Sequence, residues 1–193
     1  MDPRKQRSRD RLYAAALALA AERPLSSLTV TQLADAAGVH RSTFYEHAES
    51  PAGLVEAALT AELDVLRDEL MKDRSDAATA VATVTEGVLR HILRHVDIYR
   101  RELGDGGGTL HAMLSRHFRG TTEILLERGR IRLPLTADGL SDTVVADAAA
   151  RFLADGTVGV IDGWLRHPRP RVEDFLRIYL VLLPEWWPHR PVS

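Results

Sequence analysis

Apolar residues recur along this chain at the three- and four-residue spacing of an α-helix, and strand-type alternation is almost absent. The segment from Arg9 to Glu22 is the clearest early example and predicts one amphipathic helix. Its apolar positions at i, i+3, i+4 and i+7 are Leu12, Ala15, Ala16 and Leu19. The helix should end before Pro24, because proline disfavours a helical conformation in the preceding residue.

Two short helices are predicted to follow. Thr29 and Gln32 have the spacing of a capping box, with Thr29 as the N-cap. The first short helix should end at Gly38, since glycine is the residue best suited to a left-handed position after a helix. A second short segment runs from about Arg41 to Ala48. Two short helices with a glycine-containing turn between them are typical of a helix-turn-helix.

Longer helices are predicted in the rest of the chain. The signals for their starts are Ser50-Pro51, Ser75 or Asp76, Leu110, Ser141 and Val172, with loops over residues 104–108 and 129–139. Ile131, Leu133 and Leu135 alternate, but the short run and Pro134 argue against a strand. We expect an all-α protein of about nine helices. Residues 1–50 would form a three-helix helix-turn-helix domain, linked by a helix from about residue 51 to a C-terminal helical domain over residues 51–193.

Composition excludes several classes of protein. The chain has 193 residues, a net charge of −2 and no cysteine, which excludes disulfides, thiolate metal sites and cysteine nucleophiles. It lacks a transmembrane run and an apolar N-terminal leader, so we expect a cytoplasmic protein that does not bind membranes. Residues 1–47 carry seven basic and five acidic residues, whereas residues 48–193 carry 18 and 22. The near-neutral total therefore argues only against indiscriminate coating of nucleic acid.

The second helix of the helix-turn-helix has the composition of a DNA-reading helix. Phe44 can pack inward, while its neighbours keep hydrogen-bonding side chains. Arg41 can pair with guanine O6 and N7, and Thr43 can contact a phosphate or a thymine methyl group. The pattern alone leaves DNA binding and an ordinary helical core equally open.

The stretch from Leu28 to His47 resembles the DNA-binding signature of the TetR family of bacterial transcription regulators. The resemblance covers about the first 60 residues, and it is specific because several positions agree in spacing together: Ala37, Gly38, Val39, Thr43, Tyr45 and His47. It implies a homodimeric regulator without enzymatic activity or a cofactor. Such a protein, most often a repressor, binds a pseudo-palindromic double-stranded DNA operator and is released by a small-molecule effector. The DNA-contacting residues would be Thr29, Thr31, His40, Arg41, Ser42, Thr43, Tyr45 and His47.

Some positions depart from the family pattern. His40 replaces a small N-capping residue, and Pro51 replaces a common lysine. Glu46 would repel phosphate if it faced DNA, or it could accept from cytosine N4 or point at solvent. A family member whose helix-turn-helix no longer binds DNA specifically is therefore an alternative. Basic residues at the N-terminus could compensate as an arm along the DNA, or they could form a solvated tail: Arg4, Lys5, Arg7 and Arg9.

The C-terminal helices offer candidates for a dimer interface and an effector pocket. Gly156, Gly159 and Gly163 form a row of small residues that would let two helices approach, although they could instead kink one helix over a pocket. The last helix is apolar almost all round, so we assign Phe175 and Tyr179 to the same interface. Predicted pocket residues are His91, His95, Tyr99, Met113, His117, Phe118, Phe152 and Trp164.

The histidines admit three interpretations. They could hydrogen-bond an organic effector, serve a structural role, or bind a metal, since His91 and His95 form a feasible i, i+4 pair. We assign no metal ligands from the sequence, and a metal-responsive regulator remains an alternative. A small helical enzyme is a weaker alternative, because no nucleophile or metalloprotease motif is present.

Overall fold

The computed structural model describes residues 2–104, 108–134 and 136–188. Within these ranges the chain forms nine α-helices and no strand, which confirms the all-α prediction. In chain order they are α1 (Pro3–Glu22), α2 (Val30–Ala37), α3 (Arg41–Tyr45), α4 (Pro51–Lys72), α5 (Ala77–Arg94), α6 (Val96–Glu102), α7 (Thr109–Glu127), α8 (Asp142–Leu165) and α9 (Val172–Leu182), with a 3₁₀ turn over Leu25–Ser27. Leu135 and most of the predicted loop over 104–108 lie outside the described residues. None of the described helices is long and apolar enough to cross a membrane.

The first helix begins six residues earlier than its apolar pattern predicts, at Pro3 rather than Arg9. Asp2 caps it, because its carboxylate accepts a hydrogen bond of 2.8 Å from the backbone N–H of Arg4. The basic residues near the N-terminus therefore lie on the first turns of α1. They belong to a helix and do not form a separate arm or tail, and their contact with the DNA backbone stays a prediction.

The turn between α2 and α3 forms as the sequence predicts. Thr29 and Gln32 form a reciprocal capping box, and Gly38 adopts the left-handed conformation with φ of 59°. Arg11 of α1 donates a hydrogen bond of 3.0 Å to the carbonyl of Gly38. The helix that follows ends at Tyr45, three residues before the predicted end.

The helix α4 is the central element of the fold, packing against α1, α5 and α7. Helical spacing would place Leu54, Ala58, Ala61 and Val65 on one apolar face, but this face is only partly buried. Val65 is exposed, and the arc of buried residues is wider because three helices surround α4: Leu54, Val55, Ala58, Leu59, Leu63 and Leu70. One continuous core therefore runs from Leu12 and Phe44 in the N-terminal helices to Tyr99 and Phe175.

The short helix α6 bridges the two halves of the chain. The guanidinium of Arg101 donates to the carbonyls of Ala20 and Ala21 at the end of α1, at 2.8 and 3.1 Å. Glu102 accepts a hydrogen bond of 3.0 Å from the backbone N–H of Leu25. In the other direction Arg100 donates to the carbonyl of Leu165 at the end of α8. These contacts satisfy backbone groups that a helix end leaves without a partner.

Candidate DNA-binding surface and ligand cavity

The side chain of Phe44 anchors α3 to the rest of the molecule. Phe44 is fully buried among residues of α1, α2 and α4, and the ring of Tyr45 packs edge-on against it at 5.5 Å. The polar neighbours His40, Arg41 and Ser42 are exposed, and Tyr45 is 59% exposed. This arrangement gives α3 a buried anchor and an outward polar face, as a DNA-reading helix requires.

Some residues that were expected to contact DNA form hydrogen bonds within the chain. The hydroxyl of Thr29 accepts a hydrogen bond of 3.3 Å from the N–H of Gln32 as part of the capping box, whereas Thr31 is exposed and Thr43 half-buried. The Nε2 atom of His47 lies 3.0 Å from the hydroxyl of Ser8. Burial and then the nearby charge of Lys5 lower the pKa of His47, which favours the neutral imidazole. His47 therefore connects the turn after α3 to α1.

The departures from the family pattern have clear local consequences. His40 occupies the N-cap position of α3 without a side-chain capping bond. Ser50 caps α4 by accepting a hydrogen bond of 3.1 Å from Gly53, and Pro51 follows as the first helical residue, as predicted. Glu46 is exposed at the C-cap position of α3.

A cavity of about 90 Å³ lies among α4, α5, α7, α8 and α9. Its lining is mostly aliphatic and aromatic, with Leu63 and Leu89 on one side and Ile161 and Phe175 on the other. His117 and Phe118, two of the residues predicted for an effector pocket, line it. The other six predicted pocket residues do not.

Few hydrogen-bond donors face this cavity. Its threonine hydroxyls donate to backbone carbonyls one turn earlier: Thr85 to Val81 at 2.7 Å, Thr121 to His117 at 2.9 Å and Thr157 to Leu153 at 2.6 Å. These hydroxyls can only accept from a ligand. Because the proton of Thr157 is used, the phenol of Tyr179 donates to it at 2.9 Å.

His117 and Arg67 bring nitrogen donors to the cavity. The Nδ1 atom of His117 lies 3.4 Å from the Asp64 carboxylate, which is 2.7 Å from the guanidinium of Arg67. Burial, and then the charge of Arg67, lower the pKa of His117 to about 4, although Asp64 opposes this shift. The imidazole is therefore neutral at pH 7 and can both donate and accept hydrogen bonds.

Three of the predicted pocket residues lie elsewhere for reasons of packing. Met113 is buried in the main core, and Trp164 packs against Phe175 at 5.3 Å and donates to the carbonyl of Arg171. Phe152 is 76% exposed, because the inner face of α8 is formed by the neighbouring Leu153 and Ala154. None of the three lines this cavity, and Trp164 lines a separate pocket between α8 and α9.

The remaining three pocket residues form a separate polar cluster around Glu62 of α4. His91 Nδ1 and His95 Nε2 each lie 3.0 Å from Glu62 Oε2, and His91 Nε2 lies 2.8 Å from the hydroxyl of Tyr99. Burial and then His95 lower the pKa of His91 to about 4. Burial would raise the pKa of Glu62, but the contacts with His95 and His91 outweigh it and lower that pKa. Glu62 is 29 residues from His91, so no local pattern points to it.

The outer face of α8 and α9 is apolar and exposed. Gly156, Gly159 and Gly163 lie on it with open space in front of each Cα, beside Phe152. On α9 the exposed apolar residues are Ile178, Val181 and Leu182, of which Val181 is 79% exposed.

Phe175 and Tyr179, which the sequence assigns to a dimer interface, lie on the other side of α9. Both are buried within the chain, and their rings pack at 5.1 Å. That assignment is wrong, because an all-round apolar helix does not reveal which side faces its own core.

Comparisons with known proteins agree with this architecture. Residues 12–58 match the model of the bacterial regulatory proteins of the tetR family. No curated protein sequence matches the chain. Among solved structures, a TetR transcriptional regulator from Streptococcus agalactiae 2603V is 21% identical, with a TM-score of 0.62 over 94% of this chain and 96% of that one. A TetR transcriptional regulator from Rhodococcus sp. RHA1 is 23% identical, with a TM-score of 0.61 over 93% and 98%.

A further similar structure contains a ligand. It is FadR from Thermus thermophilus, a TetR family transcriptional repressor in complex with lauroyl-CoA, which is 20% identical with a TM-score of 0.58 over 96% of this chain and 100% of that one. At these identities the structures establish a shared fold. Residues 12–58 are thus similar to the bacterial regulatory proteins of the tetR family, and the chain shares the helical fold of these solved structures.

Proposed function

We propose that the protein is a homodimeric transcription regulator, a repressor, that binds a pseudo-palindromic operator and is released by a small apolar effector. The observation that carries the proposal is the outward polar face of α3, held in place by the buried ring of Phe44. Regulators of this family are not generally enzymes, and the polar groups described above suit binding rather than bond cleavage.

Sequence reading by α3 rests on few residues. The exposed guanidinium of Arg41 has the geometry to pair with guanine, and the exposed Ser42 and Tyr45 can reach phosphates or base edges. Arg4, Lys5 and Arg7 are exposed on the first turns of α1 and can add contacts to the DNA backbone. Since the whole chain has a net charge of −2, affinity for random DNA should be modest.

Dimerisation through α8 and α9 accounts for their exposed apolar face. The row of glycines on α8 would let two helices approach closely, and Phe152 and Val181 would be removed from water. A two-fold dimer presents two copies of α3, which read half-sites roughly 34–36 Å apart.

The size of the cavity restricts the effector. At about 90 Å³ it is smaller than the roughly 150 Å³ cavity that holds one benzene molecule in a well-known lysozyme variant. A monocyclic ligand therefore has to displace the surrounding helices slightly, and a long acyl chain has to displace them far more. The lining favours a compact apolar body with one polar group placed against His117.

The displacement of the helices around the cavity would connect effector binding to the DNA-binding helices. Leu63 and Arg67 of α4 line the cavity, while Leu54 and Val55 at the other end of α4 pack on the N-terminal core. An effector that moves α4 outward would change the separation of the two copies of α3. By linkage, operator DNA would weaken effector binding by the same factor.

Fluorescence anisotropy on DNA from upstream of the protein's own gene tests the first half of this proposal. We expect tight binding to one fragment, and Arg41→Ala should relax discrimination between operator and random DNA by about 1–3 kcal/mol per base contact. Arg128→Ala is the matched control, because Arg128 is an exposed arginine at the C-terminal end of α7, outside the helix-turn-helix. Binding with a steep salt dependence but no sequence preference would contradict the proposal and favour a regulator that has lost specificity.

A cavity-filling variant tests the second half. Ala154 lines the cavity, so Ala154→Leu should abolish release by any effector while leaving operator binding intact. Ala112→Leu on the exposed face of α7 makes the same change outside the cavity. Monocyclic phenols and benzoates are suitable first probes, with thermal stabilisation as the readout. Equal responses in the two variants would place the effector elsewhere.

A further inference from the structure

A cluster of three potential metal ligands joins α4 to the junction of α5 and α6. It consists of Glu62, His91 and His95, whose donor atoms all lie within 4.8 Å of one another. The Oε2 atom of Glu62 is 3.0 Å from Nδ1 of His91 and 3.0 Å from Nε2 of His95. We propose that these three residues form a zinc site, with water or another small ligand at the fourth position. The site is separate from the apolar cavity, and the proposal does not rest on the proposed function.

The donor set suits zinc. Two imidazole nitrogens and one carboxylate oxygen are a common three-ligand set for Zn²⁺ with an open fourth position. A tetrahedral ion with bonds of about 2.0–2.1 Å places neighbouring ligand atoms about 3.3 Å apart. The two distances of 3.0 Å around Glu62 therefore need to open by only a few tenths of an ångström.

The surroundings of His91 also fit a metal ligand. Imidazoles that bind metals generally have the second ring nitrogen held by a hydrogen-bond partner. Here Nε2 of His91 lies 2.8 Å from the hydroxyl of Tyr99, and both side chains are buried. When zinc binds Nδ1, the ring proton resides on Nε2 and is donated to the phenol oxygen of Tyr99.

The backbone at His95 brings the second imidazole into position. The helix α5 ends at Arg94, and His95 adopts φ of −110° and ψ of 30° as the residue shared by the end of α5 and the start of α6. Its ring packs edge-on against that of His91, with centroids 5.0 Å apart. Both rings thus face the same oxygen of Glu62.

Without a metal the cluster closes by hydrogen bonds. His91 and His95 then each donate a ring N–H to Glu62, and Tyr99 donates to Nε2 of His91. Arg94 adds a third donor 3.2 Å from the same oxygen, and its side chain is 66% exposed. Zinc would repel this guanidinium, which can move into solvent. Arg94 therefore competes with the metal for Glu62. Removal of Arg94 should tighten zinc binding, an effect that a purely hydrogen-bonded cluster would not show.

Zinc binding is measured on the untagged full chain, stripped of metal with EDTA and then titrated against a chromophoric zinc chelator. We expect about one zinc per chain. Glu62→Gln and His95→Gln should weaken binding more strongly than the roughly 10- to 100-fold loss expected for the outer-shell change Tyr99→Phe. Arg94→Gln should tighten binding several-fold. His167→Gln, at an exposed histidine beyond α8, should leave the affinity unchanged.

Two further measurements keep the result interpretable. Circular dichroism and thermal melting of each metal-free variant exclude a loss of fold, which matters least for Glu62→Gln because that side chain is partly exposed. Titration with Co²⁺ should give the intense visible absorption of a tetrahedral ion in the wild type and lose it in His95→Gln. No competition with the chelator, or equal zinc affinities of the wild type and Glu62→Gln, would overturn the proposal.

Discussion

The Nη2 atom of Arg11 in α1 donates a hydrogen bond of 3.0 Å to the carbonyl oxygen of Gly38, the left-handed residue between α2 and α3. A Cβ atom built on Gly38 would overlap this guanidinium. The geometry of the helix-turn-helix and the packing of α1 are therefore linked through one contact.

This link predicts non-additive effects on stability. Gly38→Ala should cost about 1–2 kcal/mol because its φ of 59° is unfavourable for a residue with a Cβ, and more because Arg11 must move. Gly129→Ala is the matched control, since its φ is 64° but nothing lies within 4 Å of the added Cβ. In an Arg11→Ala background the two costs should become equal. Urea unfolding checks this, and an unchanged difference would contradict it.

A second prediction concerns acid sensitivity through His117. Burial and the charge of Arg67 lower the pKa of His117 to about 4 from 6.5, so between these values the unfolded chain binds a proton that the folded chain does not. Stability should therefore fall as the pH drops through this window, by about 1.4 kcal/mol per pH unit from this residue. His117→Gln should remove that contribution.

The measurement is urea unfolding at several pH values between about 4.5 and 7 with EDTA present. This range covers most of the interval between the pKa of His117 in the folded chain and its pKa in the unfolded chain. His167→Gln, which changes an exposed histidine, should keep the dependence of the wild type. Parallel stability curves for the wild type and His117→Gln would show that His117 does not carry the effect.

A third prediction concerns Gly159, where one substitution should stabilise the monomer and weaken dimerisation. Within one chain nothing lies within 4 Å of a Cβ added there, so Gly159→Ala should stabilise α8 by about 0.5–1 kcal/mol in the monomer. At a close helix contact between two chains the same methyl group should weaken dimerisation. Analytical ultracentrifugation over a range of concentrations measures the second effect. Gly129→Ala leaves α8 unchanged, and its dimerisation should match the wild type.

A fourth prediction compares two arginines. Arg100 donates to the carbonyls of Leu165 and His167, at 2.9 Å each, whereas Arg90 forms an exposed ion pair with Glu86 within α5. Arg100→Ala should cost about 1.5–3 kcal/mol because it leaves carbonyls at the end of α8 without partners. Arg90→Ala should cost only about 0.3–0.5 kcal/mol. Equal losses in thermal stability would show that the α8 contact is not structural.

The parts of the fold that depend on residues close in sequence could be predicted. The capping box of Thr29 and Gln32, the left-handed Gly38 and the Ser50 cap each involve residues no more than four positions apart. Their geometry follows from hydrogen bonds within one turn, which tertiary packing does not change. The inward Phe44 also followed from the polar character of its neighbours.

The sites that depend on helix orientation could not be predicted. Phe152, expected in a pocket, is exposed, whereas Phe175, expected at an interface, is buried and lines the cavity. The apolar pattern of these helices does not show which side faces the core. Glu62 joins His91 across two helices, a contact that neither local sequence records. The apolar pattern does not reveal the extension of α1 to Pro3, because the first turns of this helix are polar on all sides. Only the Asp2 cap marks its start.

The bonds from Arg101 and Glu102 to the end of α1 and to Leu25 bear on how this fold can change in evolution. They attach the N-terminal helices to a helix some eighty positions further along the chain. Every partner on the N-terminal side is a backbone carbonyl or N–H, which almost any residue supplies. Side chains on α1 to α3 can therefore be exchanged without loss of this attachment, whereas a change of Arg101 or Glu102 would remove it.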